Sequence, residues 1–252
     1  MRFVHLFLLP AALLMVMGVS TGCIGGLESA DLNDMADGSA PAPAPEPGMD
    51  ASGGGGSMTG PADASPGAPD ATPAPGCDWP GGAAGTEVGE VVPESVSWQG
   101  FGAGDEVERR IAIGEFFDCD GELGYDALLV ITSQYGCPSC DNEASGLTAK
   151  IDAWAAEGLT VKVVTLLLED PSGRQPATID AAETWRDRFT LTNSAVAFDN
   201  SFSMIPRSAG GSIGTPYQTL INPRTMEIVN QQAGYDPSYT ELLRLARANE
   251  GM

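Results

Sequence analysis

The sequence predicts an α/β domain in which a mixed central sheet carries helices on both faces. Two continuous apolar runs, 127–132 and 159–168, are typical of strands that are buried on both sides. Helical patterns at 140–157 and 178–189 follow these runs, so strands and helices alternate along the chain. Such alternation places parallel strands in one sheet and packs the helices against it.

Short strands and one further helix complete the predicted domain. Alternating apolar residues within 96–113 indicate an N-terminal β-hairpin. Residues 195–198 fit a short strand at the edge of the sheet. A second hairpin is predicted from 217–221 and 226–229, and a closing helix from 236–249.

Composition divides the chain into three segments. Residues 1–22 have a basic start, an apolar run and small residues before Cys23, which predicts an export signal. This pattern resembles a bacterial lipobox, which implies cleavage before Cys23 and acylation of that cysteine. Pro, Gly and Ala make up 26 of the 38 residues in 39–76, so 23–76 is predicted to be a disordered acidic tether. Residues 77–252 form the predicted folded domain.

The N-terminal segment leaves two other interpretations open. It is either an uncleaved membrane anchor or the signal of a secreted protein that is cut elsewhere. All three interpretations place the domain outside the cytoplasm, where disulfides persist. The expected location is the extracytoplasmic face of the cell envelope.

The charge balance excludes several classes of function. The chain has 34 acidic and 12 basic residues and a net charge of -22, so nucleic acid is not expected as a partner. Its single histidine, His5, lies in the predicted export signal. A mature chain without histidine builds no Ser-His-Asp triad, no Cys-His protease and no histidine-bearing metal site.

Two of the five cysteines lie where a predicted strand is followed by a helix. Cys137 and Cys140 flank Pro138 and Ser139, and proline suits the first position of a helix. Backbone N–H groups and the dipole at a helix N-terminus favour a thiolate at Cys137. Residues three apart on a helix lie about 5–6 Å apart at Cβ, close enough for a disulfide after a small adjustment. We therefore predict that Cys137 is an exposed nucleophile and Cys140 the resolving thiol.

Other uses of the cysteines stay open. A purely structural bridge between Cys137 and Cys140 would close a very small loop and stabilise little. A four-cysteine zinc site needs a second close pair, whereas Cys77 and Cys119 are 42 residues apart. A structural disulfide between Cys77 and Cys119 is favoured, with a second shuttle pair or two free thiols as alternatives.

The order of these motifs resembles the thioredoxin superfamily. The resemblance is carried by a strand, Cys137-Pro138-Ser139-Cys140 at a helix start, a later Gly214-Thr215-Pro216, and a hairpin. The sequence is most similar to the TlpA-like, membrane-attached thiol-disulfide oxidoreductases, which share a Cys-x-x-Cys-x-x-Glu arrangement and a lead-in like 89–93. The resemblance covers about 88–248 and implies a thioredoxin-like three-layer fold.

The resemblance also implies roles for individual residues. Pro216 would be a cis-proline beside the cysteines, and Thr215 would present its backbone to an extended substrate. Tyr135 is expected to contact that substrate, because the aromatic residue of the family lies near this position. Glu143 would help to move the proton of Cys140, although an acid in the first helical turns is also favoured by the dipole alone.

Two positions depart from the family pattern. Gly136 stands where the family has a Trp, and Ile131 stands where thioredoxin has a buried Asp. Both departures leave the reaction possible and bear on the redox potential and the partner. A glycine-rich loop at 205–215 is expected to border the substrate groove.

These observations predict an exchange of the Cys137/Cys140 dithiol with disulfides of envelope proteins. No metal and no cofactor beyond the redox-active pair are expected. The membrane is a partner through the lipid on Cys23, and a membrane electron donor would reset the pair. Resemblance to TlpA-like proteins favours reduction of the partner.

Two alternatives to this function are a peroxiredoxin-like peroxidase and a non-enzymatic binding lipoprotein with structural disulfides. The peroxidase would need Thr or Ser at the position of Gln134. A copper chaperone is disfavoured because the cysteine pair would lack its usual histidine.

Overall fold

The described part of the chain is the domain at its C-terminal end. A computed structural model describes residues 77–210 and 213–251. The predicted export signal, the lipidation site at Cys23 and the tether of 23–76 lie outside the described residues, as do Gly211 and Ser212 of the predicted groove loop. Within those two ranges, no helix combines the length and the apolar character needed to cross a bilayer.

Seven strands form one mixed sheet. Their bounds in chain order are β1 Ser97–Phe101, β2 Arg109–Ala112, β3 Ala127–Ser133, β4 Val161–Leu167, β5 Ala195–Phe198, β6 Tyr217–Ile221 and β7 Ile228–Ala233. The strand order across the sheet is β2-β1-β5-β4-β3-β6-β7. β3, β4 and β5 run parallel, and β1, β2, β6 and β7 make antiparallel pairs. The predicted mixed sheet and N-terminal hairpin are confirmed.

The position of β5 differs from the prediction. Residues 195–198 were expected at the edge of the sheet, but β5 lies between β4 and β1. The hairpin β1-β2 extends the sheet beyond β5, with Gln99 opposite Phe198 and Phe101 opposite Val196. The edge strands of this sheet are therefore β2 and β7.

Three α-helices pack against a single face of the sheet. They are α1 Pro138–Ala156, α2 Ile179–Phe189 and α3 Thr240–Asn249. The helix residues buried in this layer are Ala144, Leu147, Ile151, Trp154, Ala181, Ala182, Trp185, Leu242, Leu245 and Ala246. Leu147, Ile151 and Trp154 form the apolar stripe that a core-facing helix requires.

Within 77–210 and 213–251, no α-helix covers the opposite face. Its cover consists of the 3-10 helix Ile113–Phe116 and irregular segments that bury Val92, Met204 and Met226. Among the described residues between β5 and β6, which include prolines and glycines, the one helical element is the 3-10 turn Arg207–Ala209. The predicted thioredoxin-like α/β fold is confirmed, but the expected α-helical cover of both faces is present on one face only.

Gly100 in β1 marks a close approach of two strands. A Cβ at this position would lie 2.5 Å from the Cα of Ala197 and nearer still to the carbonyl oxygen of Val196. Both are backbone atoms of β5 and cannot move without disturbing the pairing. We expect Gly100→Ala to lower the free energy of unfolding by about 3 kcal/mol, measured by urea titration.

Gly146 provides the matched control for that substitution. It lies in α1, and a Cβ added there would meet nothing within 4 Å apart from the adjoining turns of its own helix. Gly146→Ala should leave stability unchanged or raise it by about 1 kcal/mol, because alanine is the better helix former. Equal effects of the two substitutions would contradict the close approach of β1 and β5.

Candidate active site

The cysteine pair lies at the turn between β3 and α1. Gly136 has a φ of 72°, a left-handed conformation that glycine adopts without strain. Cys137 is the N-cap residue, and its sulfur accepts a hydrogen bond from the backbone N–H of Cys140 at 3.3 Å. Pro138 occupies the first turn, so the helix begins two residues before the predicted start at 140. The helix N-terminus therefore holds the two sulfurs together.

A second loop lies against Cys137. The Cys137 thiol donates to the carbonyl oxygen of Thr215 at 3.4 Å. The Thr215–Pro216 peptide bond is cis, as the resemblance implied, and both residues are buried. Cys137 and Cys140 are free thiols in this structure. The site is thus a dithiol with the backbone of Thr215 beside its first sulfur.

The burial of the first cysteine differs from the prediction. Cys137 was expected to be exposed, but only 1% of the residue is accessible, as for Cys140. Cys137 belongs to the apolar cluster that also contains Tyr135, and its carbonyl contact with Thr215 holds the sulfur inward. Its neighbours Gly136 and Pro138 are exposed. The buried sulfur is therefore flanked by two exposed backbone positions.

Cys140 is held in its protonated form. Burial raises the pKa of the Cys140 thiol, and its hydrogen bond with Cys137 raises it further. A backbone hydrogen bond from Gln134 acts in the opposite direction and offsets only part of the effect. The thiol of Cys140 therefore needs a base before it can act as a nucleophile.

Glu143 lies one turn beyond Cys140 and is almost fully buried, with 2% of the residue exposed. Its Oε1 accepts hydrogen bonds from the hydroxyl of Tyr239 at 3.1 Å and from the side-chain amide of Gln218. Burial raises the pKa of the Glu143 carboxyl to about 7, although both hydrogen bonds lower it. A carboxyl with this pKa can accept and release a proton near neutral pH.

Sequence reasoning missed Gln218 and Tyr239 as members of this site. Gln218 had a weak signal, because it is a polar residue inside the predicted strand 217–221. Tyr239 had no sequence signal, because it lies in a turn far from Glu143 along the chain. Only the fold brings β6, α3 and α1 together at Glu143.

The pKa of Glu143 makes stability depend on pH. Folding raises this pKa from 4.5 to about 7, so the folded state binds the proton more tightly than the unfolded state. The resulting stability is fully present below pH 4.5 and is lost as pH rises through about 7. We expect Glu143→Gln to be more stable than the wild type at pH 8 by up to about 3 kcal/mol, measured by urea titration.

The advantage of Glu143→Gln should shrink toward pH 4.5, where the folded wild-type carboxyl is already protonated. Glu94→Gln, at an exposed position, is the control and should change stability little at either pH. A constant difference between wild type and Glu143→Gln at both pH values would contradict the raised pKa.

The side chain of Tyr135 makes its contacts inside the domain. Its hydroxyl donates to the carbonyl oxygen of Ala181 at 2.7 Å, and its ring meets Trp185 edge-on at 5.0 Å between centroids. Only 8% of the residue is exposed. Tyr135 therefore fixes the turn before Cys137 to α2, and its contact with a substrate stays a prediction.

Cys77 and Cys119 form a disulfide, as predicted, with 5.9 Å between their Cα atoms. The neighbouring Asp118 is buried, accepts from the backbone N–H groups of Leu123 and Tyr125, and forms an ion pair with Arg224. Asp120 lies near the two sulfurs, which are bonded to each other and so are not available as thiolate ligands for a metal. This disulfide fastens the start of the domain to the segment after the hairpin.

Neither the protein-family models nor the curated proteins contain a match to this sequence. Among solved structures, the thioredoxin domain of a thiol-disulfide oxidoreductase from Bacteroides vulgatus is 15% identical, with a TM-score of 0.43 over 64% of this chain and 98% of that chain. A thiol:disulfide interchange protein from a Bacteroides species is 14% identical, with a TM-score of 0.43 over 64% of this chain and 91% of that chain.

A thiol:disulfide interchange protein of the thioredoxin family from Chlorobium tepidum is 14% identical, with a TM-score of 0.40 over 60% of this chain and 92% of that chain. The likeness of this chain to these three proteins is a likeness of fold. Its own features define that fold: a Cys-x-x-Cys helix after the central strand β3, and a cis-proline directly before β6. The chain therefore has a thioredoxin-like fold with a dithiol at the carboxyl end of β3, where α1 begins.

Proposed function

We propose that this protein is a thiol-disulfide oxidoreductase that exchanges its Cys137/Cys140 dithiol with disulfides of other proteins. One observation carries the proposal: two free thiols meet at the start of α1, directly beside the Thr215 carbonyl. This arrangement needs no metal and no organic cofactor, because the two sulfurs supply both electrons.

The first chemical step belongs to Cys137. Its thiolate, at the N-terminus of α1, attacks one sulfur of a partner disulfide, and the other partner sulfur leaves as a thiolate. The product is a mixed disulfide between Cys137 and the partner. Loss of the Cys137 proton also frees the Thr215 carbonyl, which can then accept an N–H of an extended partner segment.

The second step belongs to Cys140 and Glu143. The Glu143 carboxylate accepts the proton of Cys140, and the new thiolate attacks the sulfur of Cys137. A disulfide forms between Cys137 and Cys140, and the second partner thiol is released. The pair has lost two electrons and the partner has gained them.

The proposed setting is the extracytoplasmic face of the cell envelope. The disulfide between Cys77 and Cys119 suits an oxidising compartment. In this proposal a lipid on Cys23 anchors the protein to the membrane, the tether of 23–76 spaces the domain from it, and a membrane electron donor returns the pair to the dithiol. The partners are envelope proteins with disulfides, and the resemblance to TlpA-like proteins favours their reduction.

A trapping experiment tests the function. Cys140→Ala removes the resolving thiol, so it should accumulate mixed disulfides through Cys137 with envelope proteins, seen as bands that disappear on reduction. Cys137→Ala is the matched control and should trap none. In a glutathione series, mass spectrometry should locate the reversible bridge at Cys137–Cys140. The function would be contradicted if the redox state of the Cys137/Cys140 pair did not change with the glutathione ratio and no partner were trapped.

A further inference from the structure

A small cavity lies between the C-terminal helix and the end of the sheet. It has a volume of about 20 Å³, enough for one water molecule. Its walls include Gln218 of β6 and Tyr239 at the start of α3. Its outer wall is formed by Thr240 and Glu241, which are exposed. The cavity therefore lies between buried polar groups and the surface of α3.

Two of the polar residues in the cavity wall are also the donors to Glu143. Gln218 and Tyr239 both donate to Oε1 of this carboxyl. Within the described ranges, Glu143 Oε2 is buried and has no hydrogen-bond partner. Each residue thus links the carboxyl on one side to the cavity on the other.

We propose that Tyr239 and Gln218 position the Glu143 carboxyl to exchange its proton with solvent through this cavity. This inference rests on the proposed function and adds a route for the proton. A partner bound over Gly136 and Pro138 covers the cysteine end of α1, whereas the cavity opens beside Thr240 and Glu241. The proton can therefore leave while the mixed disulfide is still in place.

The proton balance of the resolving step is simple. Cys140 gives its proton to the Glu143 carboxylate, and its thiolate then displaces the partner sulfur from Cys137. The protonated carboxyl then releases its proton to solvent by way of the cavity, from which Tyr239 and Gln218 separate it, and the released partner thiolate takes up a proton from bulk solvent. Tyr239 and Gln218 end the step with the protons they started with, so they are positioning residues.

Several titratable groups face this site. Cys140 comes from α1, and Tyr239 from the start of α3. Tyr235 packs on Tyr239 at 6.1 Å between ring centroids, and Asp236 lines the cavity. The ammonium of Lys150 lies 6.0 Å from the centroid of the Tyr239 ring. Tyr239 is the only one of these groups with a hydrogen bond to the carboxyl among the described residues.

The test uses a small aromatic disulfide, dithiobis-nitrobenzoate, and the reduced wild-type domain with its anchor removed. Attack by Cys137 releases the first coloured thiolate, and attack by Cys140 releases the second, so stopped-flow absorbance separates the two steps. Tyr239→Phe removes one donor to Glu143, and Gln218→Met removes the other. Tyr125→Phe, a tyrosine remote from this site, is the matched control.

Loss of one donor should move the titration midpoint of Glu143 upward, from about 7 to about 8, in NMR titration of its carboxyl carbon. The second release should then slow roughly fivefold at pH 7 and regain the wild-type rate at alkaline pH. The first release and the control variant should be unchanged.

Three outcomes of these measurements distinguish the positioning role from a merely structural role and from failure of the proposed function. A shifted carboxyl titration together with a shifted second step supports the proposal. An unshifted titration, or a second step slowed equally at every pH, overturns it, because either result indicates a merely structural role. Failure of the first release in the wild type would instead contradict the proposed function, and the NMR titration would still decide whether Tyr239 and Gln218 control the carboxyl.

Discussion

Replacement of Cys137 by Ser is expected to lower the rate of disulfide reduction by roughly 1,000-fold or more, because a hydroxyl at this position cannot form the mixed disulfide. The fold should survive, since serine can still cap α1 by accepting from the backbone N–H of Cys140. The measurement is insulin reduction followed by turbidity, with a small dithiol as electron source.

Ser139→Ala is the matched control for this substitution. Ser139 lies between the two cysteines and no role is assigned to it, so its variant should keep nearly the full rate. Cys140→Ser should react once and then stop at the mixed disulfide. Substantial turnover by Cys137→Ser would show that the exchange does not begin at this sulfur.

The second large effect is expected at the structural disulfide. The double substitution Cys77→Ala and Cys119→Ala removes a bridge that closes a sequence separation of 42 residues. In the chain-entropy model such a loop contributes about 4 kcal/mol to the free energy of unfolding. Urea titration of the oxidised wild type and the double variant should show a loss of this size.

The wild type under reducing conditions is the companion measurement. Its stability should fall to that of the double variant measured under the same reducing conditions. A loss below about 1 kcal/mol would mean that other contacts hold the segment, such as Trp79 on Phe117 at 5.1 Å between ring centroids.

The parts of the fold that depend on local pattern could be predicted from the sequence. The apolar run before Cys137 and the proline after it define β3 and the start of α1 through short-range physics. The place of β5 could not be predicted, because its neighbour β1 lies almost 100 residues earlier in the chain. The side of the sheet chosen by each helix is likewise a property of long-range packing.

The candidate site divides in the same way. Cys137, Cys140 and Glu143 share one helix and its cap, so their spacing along the chain fixes their neighbourhood. The burial of Cys137 and the contacts of Glu143 depend on side chains from β6, α3 and the loop before β6. Tyr135 shows the limit of resemblance, since an aromatic ring near the cysteines can turn inward and pack on α2.

The disulfide at the start of the domain also has a mechanical consequence. Any tension applied to the chain on the N-terminal side of Cys77 enters the domain at this residue and passes through the covalent bond to Cys119. The segment between these residues, which contains the hairpin β1-β2, is bypassed and carries no load. A pull from that side would therefore reach the central strands without unravelling the hairpin first.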